Sequence, residues 1–318
     1  MFKIRTLQLQ NFDLLKEEIK DPFFLKMLNA SSVQKLLYVT QSFIPHNLRI
    51  LPSIHVAFEA KSFLGCIALS SISKSNNCWQ IQEVYVPDEM RNKGIGEELL
   101  RYVLSVYGGY GIEHFLAEVD SSNFPALSLF HQCGFRRYAK VYFYEKEIDE
   151  LHEASILDSD HIFRQQTNND LPEIEKLELS IIPPDLRPAL GRSKDYFKDK
   201  KNAIVLVDKA RNLLIGWAQI QEISQEDYSL ELLINPGWNH LYENFLNTII
   251  YDHLTTKGKK IKLIIKVVDY VTELTHIVTK LGFLPTSVKE LLVRTIWQKV
   301  KERKKKTAKV GAPSIAPT

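Results

Sequence analysis

Cysteine is scarce in this chain of 318 residues: Cys66, Cys78 and Cys133 are the three. They are too few and too scattered for a disulfide framework or a zinc site, so no metal is expected. No apolar run approaches the ~18 residues that a membrane-spanning helix needs. The opening MFKIRTLQLQNFD also lacks the long apolar stretch of a secretory leader, which makes a reducing cytoplasm the expected setting, with no membrane partner. Neither sign of charge dominates, since 41 basic against 38 acidic residues leave +3. Residues 299–309, KVKERKKKTAK, hold seven basic residues and one acidic, a local +6, so the remainder carries −3. A body without basic excess argues against nucleic-acid recognition by the folded part. The end of the chain, 300–318, reads as a basic solvated tail, with contact to RNA, ribosomes or an acidic partner as the alternative.

What is present describes an ordinary globular protein, 45% apolar and 25% charged, and too long for one core. Periodicity predicts strands at 3–8, 54–59, 63–72 and 81–86, with helices from about Asn11 and over 32–41 between the first two. A helix over 97–107 follows, with Leu99, Leu100, Val103, Leu104 and Tyr107 on one face, and the Gly108-Gly109-Tyr110-Gly111 cluster is expected to stop it. A strand at 114–119, a helix at 126–132 and a strand at 138–147 complete the first half. Strands in runs without intervening helices predict an α/β fold with a mixed sheet rather than a purely parallel one.

The second half repeats this order. Strand-like 161–164 and helix-like 170–178 precede strands at 203–208, 213–223 and 228–234, a helix at 241–253, a strand at 260–267 and a helix at 270–280. Three landmarks share nearly one offset: Gly65 with Gly216 (151), Pro87 with Pro236 (149), and Gly134-Phe135 with Gly282-Phe283 (148). Two copies of one fold are expected, 1–150 and 161–299, joined through the polar stretch 148–160.

The chemistry concentrates at Arg91-Asn92-Lys93-Gly94-Ile95-Gly96, between a strand and an amphipathic helix. Successive amides at a helix N-terminus, together with the positive end of its dipole, cradle a phosphate or pyrophosphate. The glycines permit backbone angles and close approach that a Cβ would block. The spacing is not Gly-x-Gly-x-x-Gly, and the preceding strands do not form an opening βαβ unit, which disfavours a dinucleotide site. Arg-x-x-Gly-x-Gly, followed by Asn123-Phe124-Pro125-Ala126 and by Leu129-Phe130-His131-Gln132-Cys133-Gly134-Phe135, resembles the GCN5-related N-acetyltransferase (GNAT) family.

That resemblance implies the acyl-CoA N-acyltransferase fold in two tandem copies, with an acetyl-CoA site in the first. It puts the pyrophosphate on Arg91 to Gly96 and the pantetheine along the backbone of Tyr85 and Val86, where the fourth strand splays from the fifth at a bulge. Asn123 would reach the pantetheine arm or the substrate side, and Ala126 and Phe130 would pack along the thiol end. The family's frequent tyrosine falls at Phe130, which cannot donate a proton. His131, Tyr138 and Tyr142 are nearby in sequence, or the thiolate leaves unaided, its thiol pKa near ~8.5 making that tolerable. Glu83 and Glu118 are the candidate bases for an amine acceptor, against the alternative that each is a solvated strand residue.

The second copy has Asn235-Pro236-Gly237-Trp238-Asn239-His240-Leu241 where the loop should be, with one glycine and a bulky tryptophan, and reads as a degenerate copy without cofactor. The expected function is acetyl transfer from acetyl-CoA to a primary amine, on a small molecule or on a protein or peptide, by direct attack in a ternary complex. The alternative is a non-catalytic acyl-CoA-binding or interaction module on the same fold.

Overall fold

In a computed structural model, the described residues are 2–8, 11–40, 44, 52–60, 62–72, 78–148, 160–198, 200–251 and 261–296. The basic segment from 299 onward and most of the 148–160 connection lie outside them. The first half runs β1 (Lys3–Thr6), α1 (Asn11–Glu18), α2 (Pro22–Leu28), α3 (Ser32–Thr40), β2 (Ser53–Glu59), β3 (Ser62–Ser71), β4 (Cys78–Tyr85), α4 (Ile95–Gly109), β5 (His114–Asp120), α5 (Phe124–Gln132) and β6 (Arg136–Ile148). The second runs β7 (His161–Gln165), α6 (Leu171–Ile181), α7 (Arg187–Leu190), α8 (Lys194–Lys198), β8 (Ala203–Asp208), β9 (Leu213–Glu222), β10 (Asp227–Ile234), α9 (Tyr242–Ile249), β11 (Ile261–Val268), α10 (Thr272–Lys280) and β12 (Leu284–Thr295).

All twelve strands form one mixed sheet in the order β1-β2-β3-β4-β5-β12-β6-β11-β10-β9-β8-β7. The copies exchange their last strands: β12 pairs antiparallel with β5 of the first half, and β6 pairs antiparallel with β11 of the second. β6 and β12 pair with each other at the centre. The two halves therefore interleave, with β12 seated beside β5 of the first half and β6 beside β11 of the second.

The longer helices around the sheet are held by buried apolar stripes. On one face, α4 buries Ile95, Leu99, Leu100, Val103, Leu104 and Tyr107 against a core that includes Trp79, Ile81, Phe115 and Ala117. The predicted apolar face is thus the buried one, and the helix ends within the glycine cluster, at Gly109, two residues beyond the predicted end at 107. On the other face, α1 and α2 bury Phe12, Leu15, Phe24 and Leu28 against Val56, Phe63 and Cys66. Asp21 starts α2 by accepting the Phe24 amide at 3.1 Å, with Pro22 at the first helical position. The second half repeats the layers, with α9 and α10 on one core and α6 and α8 on another.

The repeat extends to details. The Gln8 amide donates to Asn11 Oδ1 at 3.0 Å, as the Thr167 amide does to Asp170 Oδ2 at 2.7 Å. Gly134 and Gly282 both have left-handed backbones, with φ of 83° and 81°, and each turns the chain out of a helix so that the next Phe amide bonds the Phe130 or Val278 carbonyl at 3.0 Å. The halves also interlock on the α1 face, where Ala189 of α7 packs with Cys78, Leu116 and Val293.

Candidate active site

β4 and β5 run parallel and pair from Cys78↔His114 as far as Ile81↔Ala117, where the pairing ends. The cause lies on the other edge of β4. Against β3, Ala68 pairs with Glu83 and Leu69 with Ile81, so Gln82 is an extra residue that bends the strand away. β5 continues to Asp120 by pairing with β12. The backbone from Gln82 to Val86 thus borders a gap rather than a neighbouring strand.

That gap opens into a cleft of about 1240 Å³ lined by Glu83 to Asn92, Gly94 to Glu97, Asn123, Pro125, Ala126, Ser128, Leu129 and Gln132, with Glu18, Lys20 and Asp21 at its other end. At one wall stands the N-terminus of α4, with Gly94 at its cap in the left-handed region (φ 78°) and Asn92 also left-handed (φ 60°). A Cβ on Gly94 would meet nothing within 4 Å, so what this position requires is the backbone angle and open space above the helix end. A Cβ on Gly96 would stand 3.1 Å from Leu129 Cδ2, so the second glycine serves the close approach of α5. The first-turn amides have no carbonyl four residues earlier to bond and face an anion's place. Arg91 reaches back to the Val86 carbonyl (3.3 Å) and pairs with Asp88 at 2.9 Å, both side chains exposed. These features fit a pyrophosphate with an extended arm running along β4.

The far end of the cleft is acidic. Glu83, half-buried on β4, accepts the Val84 amide at 3.2 Å. Burial, then the nearby Asp21 carboxylate, push its carboxyl above the usual range, against the weaker pull of the Val84 amide and Lys289. Tyr85 stacks on Phe63 and donates its hydroxyl to the Glu18 carbonyl at 3.1 Å, tying α1 to the cleft wall. Glu18 and Asp21 escaped the sequence reading; an Asp-Pro helix start two residues past an amphipathic helix was the available signal.

The structure brings together Glu83, Tyr85, Val86, Arg91, Asn92, Gly94, Ile95, Gly96, Asn123 and Ala126 around one cleft. Three of the sequence candidates stand elsewhere. Phe130 is 5% exposed and packs edge-on against Phe135 at 5.0 Å. Its counterpart by the shared turn is the fully buried Val278, which marks the position as core. Glu118 does not line the cleft, its carboxylate being held by Lys266 of β11. The Lys93 ammonium lies against Met90 Sδ at 3.6 Å, off the cleft wall. Asn123 does line the cleft, with its side-chain oxygen capping α5 at the Ala126 amide, 3.1 Å away. Neither His131, Tyr138 nor Tyr142 lines it: His131 Nδ1 lies 3.1 Å from the Phe135 carbonyl, and Tyr142 packs on the second half's core.

The second copy retains the parting of strands, since β10 and β11 pair only as far as Leu230↔Ile265. By register Glu231, opposite Gln219, is the counterpart of Glu83 opposite Ala68. No bulge interrupts β10 there, and the place is filled from within. Arg192 bonds both Glu231 and the buried Glu178, and lies 4.2 Å from the Tyr196 ring centre. Attraction to Arg192 overcomes the burial of Glu231 and holds its carboxyl below the usual range. Residues 236–241 wind into tight turns, with the Gly237 amide taken by Asn235 Oδ1 at 3.0 Å, and no left-handed glycine stands before α9.

Residues 16–135 match the acetyltransferase (GNAT) family model. Solved structures match over nearly the whole chain. A GCN5-related N-acetyltransferase from Sphaerobacter thermophilus does so with a TM-score of 0.60 at 12% identity, covering 92% of this chain and 95% of its own. A tandem GNAT protein from the clavulanic acid biosynthesis pathway gives 0.57 at 11% identity, over 93% of this chain and 98% of that one. A GCN5-related N-acetyltransferase from Anabaena variabilis gives 0.55 at 13%, over 93% and 73%. No curated protein sequence matches the chain. The family match thus covers residues 16–135, and the chain as a whole carries the fold of these structures in two copies. Among the described residues, no helix is long and apolar enough to cross a membrane.

Proposed function

We propose that the chain is an acetyl-CoA-dependent N-acetyltransferase with one working cleft, in the first copy, acting on a primary amine. The observation that carries this reading is the end of β4–β5 pairing at Ile81↔Ala117 directly beside the amide-lined N-terminus of α4. An unpaired strand edge bonds an extended amide-bearing arm as another strand would. The helix end holds the pyrophosphate, and Gly94 leaves the space it needs.

Acetyl-CoA supplies an activated thioester. Glu83 stands beside the strand edge and takes the proton that the acceptor nitrogen loses as it bonds to the acyl carbon. A carboxylate whose pKa is raised is the stronger base for this, and burial with Asp21 beside it does the raising. Backbone amides along β4 steady the negative charge that gathers on the carbonyl oxygen. As the carbon–sulfur bond breaks, sulfur departs as thiolate; with a phenylalanine at 130, and that side chain in the core, the cleft offers no proton donor there. A thiol pKa near ~8.5 makes thiolate a competent leaving group.

The test is thiol release from acetyl-CoA against a panel of primary amines, with Glu83→Gln in parallel. Turnover that falls about a hundredfold in Glu83→Gln with CoA affinity kept supports the reading. Tight CoA binding with no turnover on any amine would instead favour an acyl-CoA-binding module.

A further inference from the structure

The stretch where β4 and β5 still pair, just before they part, is covered on both faces. Trp79, Ile81, Phe115 and Ala117 turn to α4, and by strand alternation Cys78 and Leu116 turn to the opposite face. There the cover comes from the other copy. Ala189 of α7 packs with Cys78, Leu116 and Val293, and Leu190 packs beside it and against Ala139, Val141 and Leu291 of the central strands. The four residues of α7 make one helical turn, too little to hold itself in place. The hold lies just beyond, at Arg192. Its guanidinium bonds Glu178 and Glu231 in the filled cleft of the second copy, and its amide donates to Glu178 Oε2 at 2.9 Å. Gly191 keeps the link tight, since a Cβ there would stand 2.6 Å from the Arg187 carbonyl oxygen. Glu178 answers to Ile19 in the first copy, each eight residues beyond the matched Asp170 and Asn11, so this anchoring carboxylate is peculiar to the second.

Resting on the reading of the first cleft as an acetyl-CoA site, we infer that Arg192 is a positioning residue for that cleft: by filling the second copy's cleft it fixes α7, and α7 fixes the gap between β4 and β5. β5 is held along its far edge by β12, and Lys266 of β11 bonds Glu118, the residue after the last β4–β5 pair. α7 lies across β4 and β5 together, so a shift of α7 changes where one strand leaves the other. A ligand arm that bonds the free edge of β4 needs that edge within about 0.5 Å of its place. A gap already formed spares the cost of ordering it on binding. The second copy, its own cleft filled, thereby serves the first.

The experiment measures acetyl-CoA affinity of the intact chain by calorimetry, and amide hydrogen exchange of residues 78–86 without ligand, both well below the melting temperature. Arg192→Met removes the anchor, and Ala189→Val overfills the seat against Cys78 and Leu116. Val278→Ala opens a cavity in the second half's other core, away from α7. We expect affinity to fall about tenfold and exchange to quicken in the first two, with Val278→Ala at the parent values. Parent affinity and parent exchange in Arg192→Met and Ala189→Val would overturn the positioning role and leave the acetyl-CoA reading standing. Equal losses in Val278→Ala would also overturn it, as a general loosening of the second half. No acetyl-CoA binding by the parent, with exchange quickened in the first two variants alone, would support the hold on β4 and β5 and overturn the acetyl-CoA reading.

Discussion

Glu83 and Glu231 stand at equivalent register positions, opposite Ala68 and Gln219, yet one faces the carboxylate of Asp21 and the other the guanidinium of Arg192. The same fold has closed one of its two clefts with its own arginine and left the other open and acidic. Each consequence can be measured.

Removing the arginine should unsettle the second half. Arg192→Met leaves Glu178, whose side chain is 3% exposed, and Glu231 without their cation. Breaking a buried pair in this way costs about 3–5 kcal/mol. Urea unfolding should show that loss, and Arg192→Met with Glu178→Leu and Glu231→Leu should recover much of it. A single variant as stable as the parent would contradict the plug.

The cradle loop separates into two kinds of glycine. Gly94→Glu puts a carboxylate in the open space above α4, so CoA affinity should fall by at least about tenfold, with about 1–2 kcal/mol of strain from the left-handed backbone. Gly96→Ala brings a Cβ to 3.1 Å from Leu129 Cδ2, so its cost should fall on stability through α4–α5 packing. Calorimetric titration beside thermal melting distinguishes them.

Acid should weaken the start of α6. Asp170 has its carboxyl lowered from 3.8 to about 2, chiefly by the Arg164 hydrogen bonds at 2.7 and 2.8 Å and also by the Thr167 amide and hydroxyl. A folded pKa below the unfolded one gives stability that is complete above 3.8 and lost as pH falls toward about 2. The amount is at most about 2 kcal/mol, since Arg164 is partly exposed. Asp170→Asn, the residue type that Asn11 has at the matching place, should keep the cap, lose that increment at neutral pH and flatten the acid dependence over this window.

The pH profile of turnover should carry the mark of Glu83. Its base must be ionised, and burial with Asp21 raises its pKa, so kcat/KM should begin to fall at a higher pH than an ordinary carboxylate would cause. Asp21→Asn removes the like charge and should move that acid limb to lower pH. A limb that does not move would exclude Glu83 as the titrating base.

Much of the first copy was legible because its signals are local. The stripe from Leu99 to Tyr107, the glycines at 94 and 96 and the Gly134-Phe135 turn each depend on neighbours within a few residues. β12 was not legible, because LPTSVKELLVRT finds its partners in β5 and β6 of the other copy, more than a hundred residues away. Phe130 was misplaced for a related reason: a helix position beside a cofactor motif turns inward once Phe135 packs on it. Glu118 looked like a free strand carboxylate until Lys266, 148 residues on, claimed it. The Arg192 plug did leave a trace, since Glu178 interrupts the apolar stripe of Leu171 and Ile174 where Ile19 continues that of Phe12 and Leu15.

The central claim, one working cleft in the first copy, is tested most directly by calorimetric titration of the intact chain with acetyl-CoA. It predicts one site per chain, abolished by Gly94→Glu in a protein that still melts cooperatively. No binding, two sites per chain, or a single site indifferent to Gly94→Glu would contradict it.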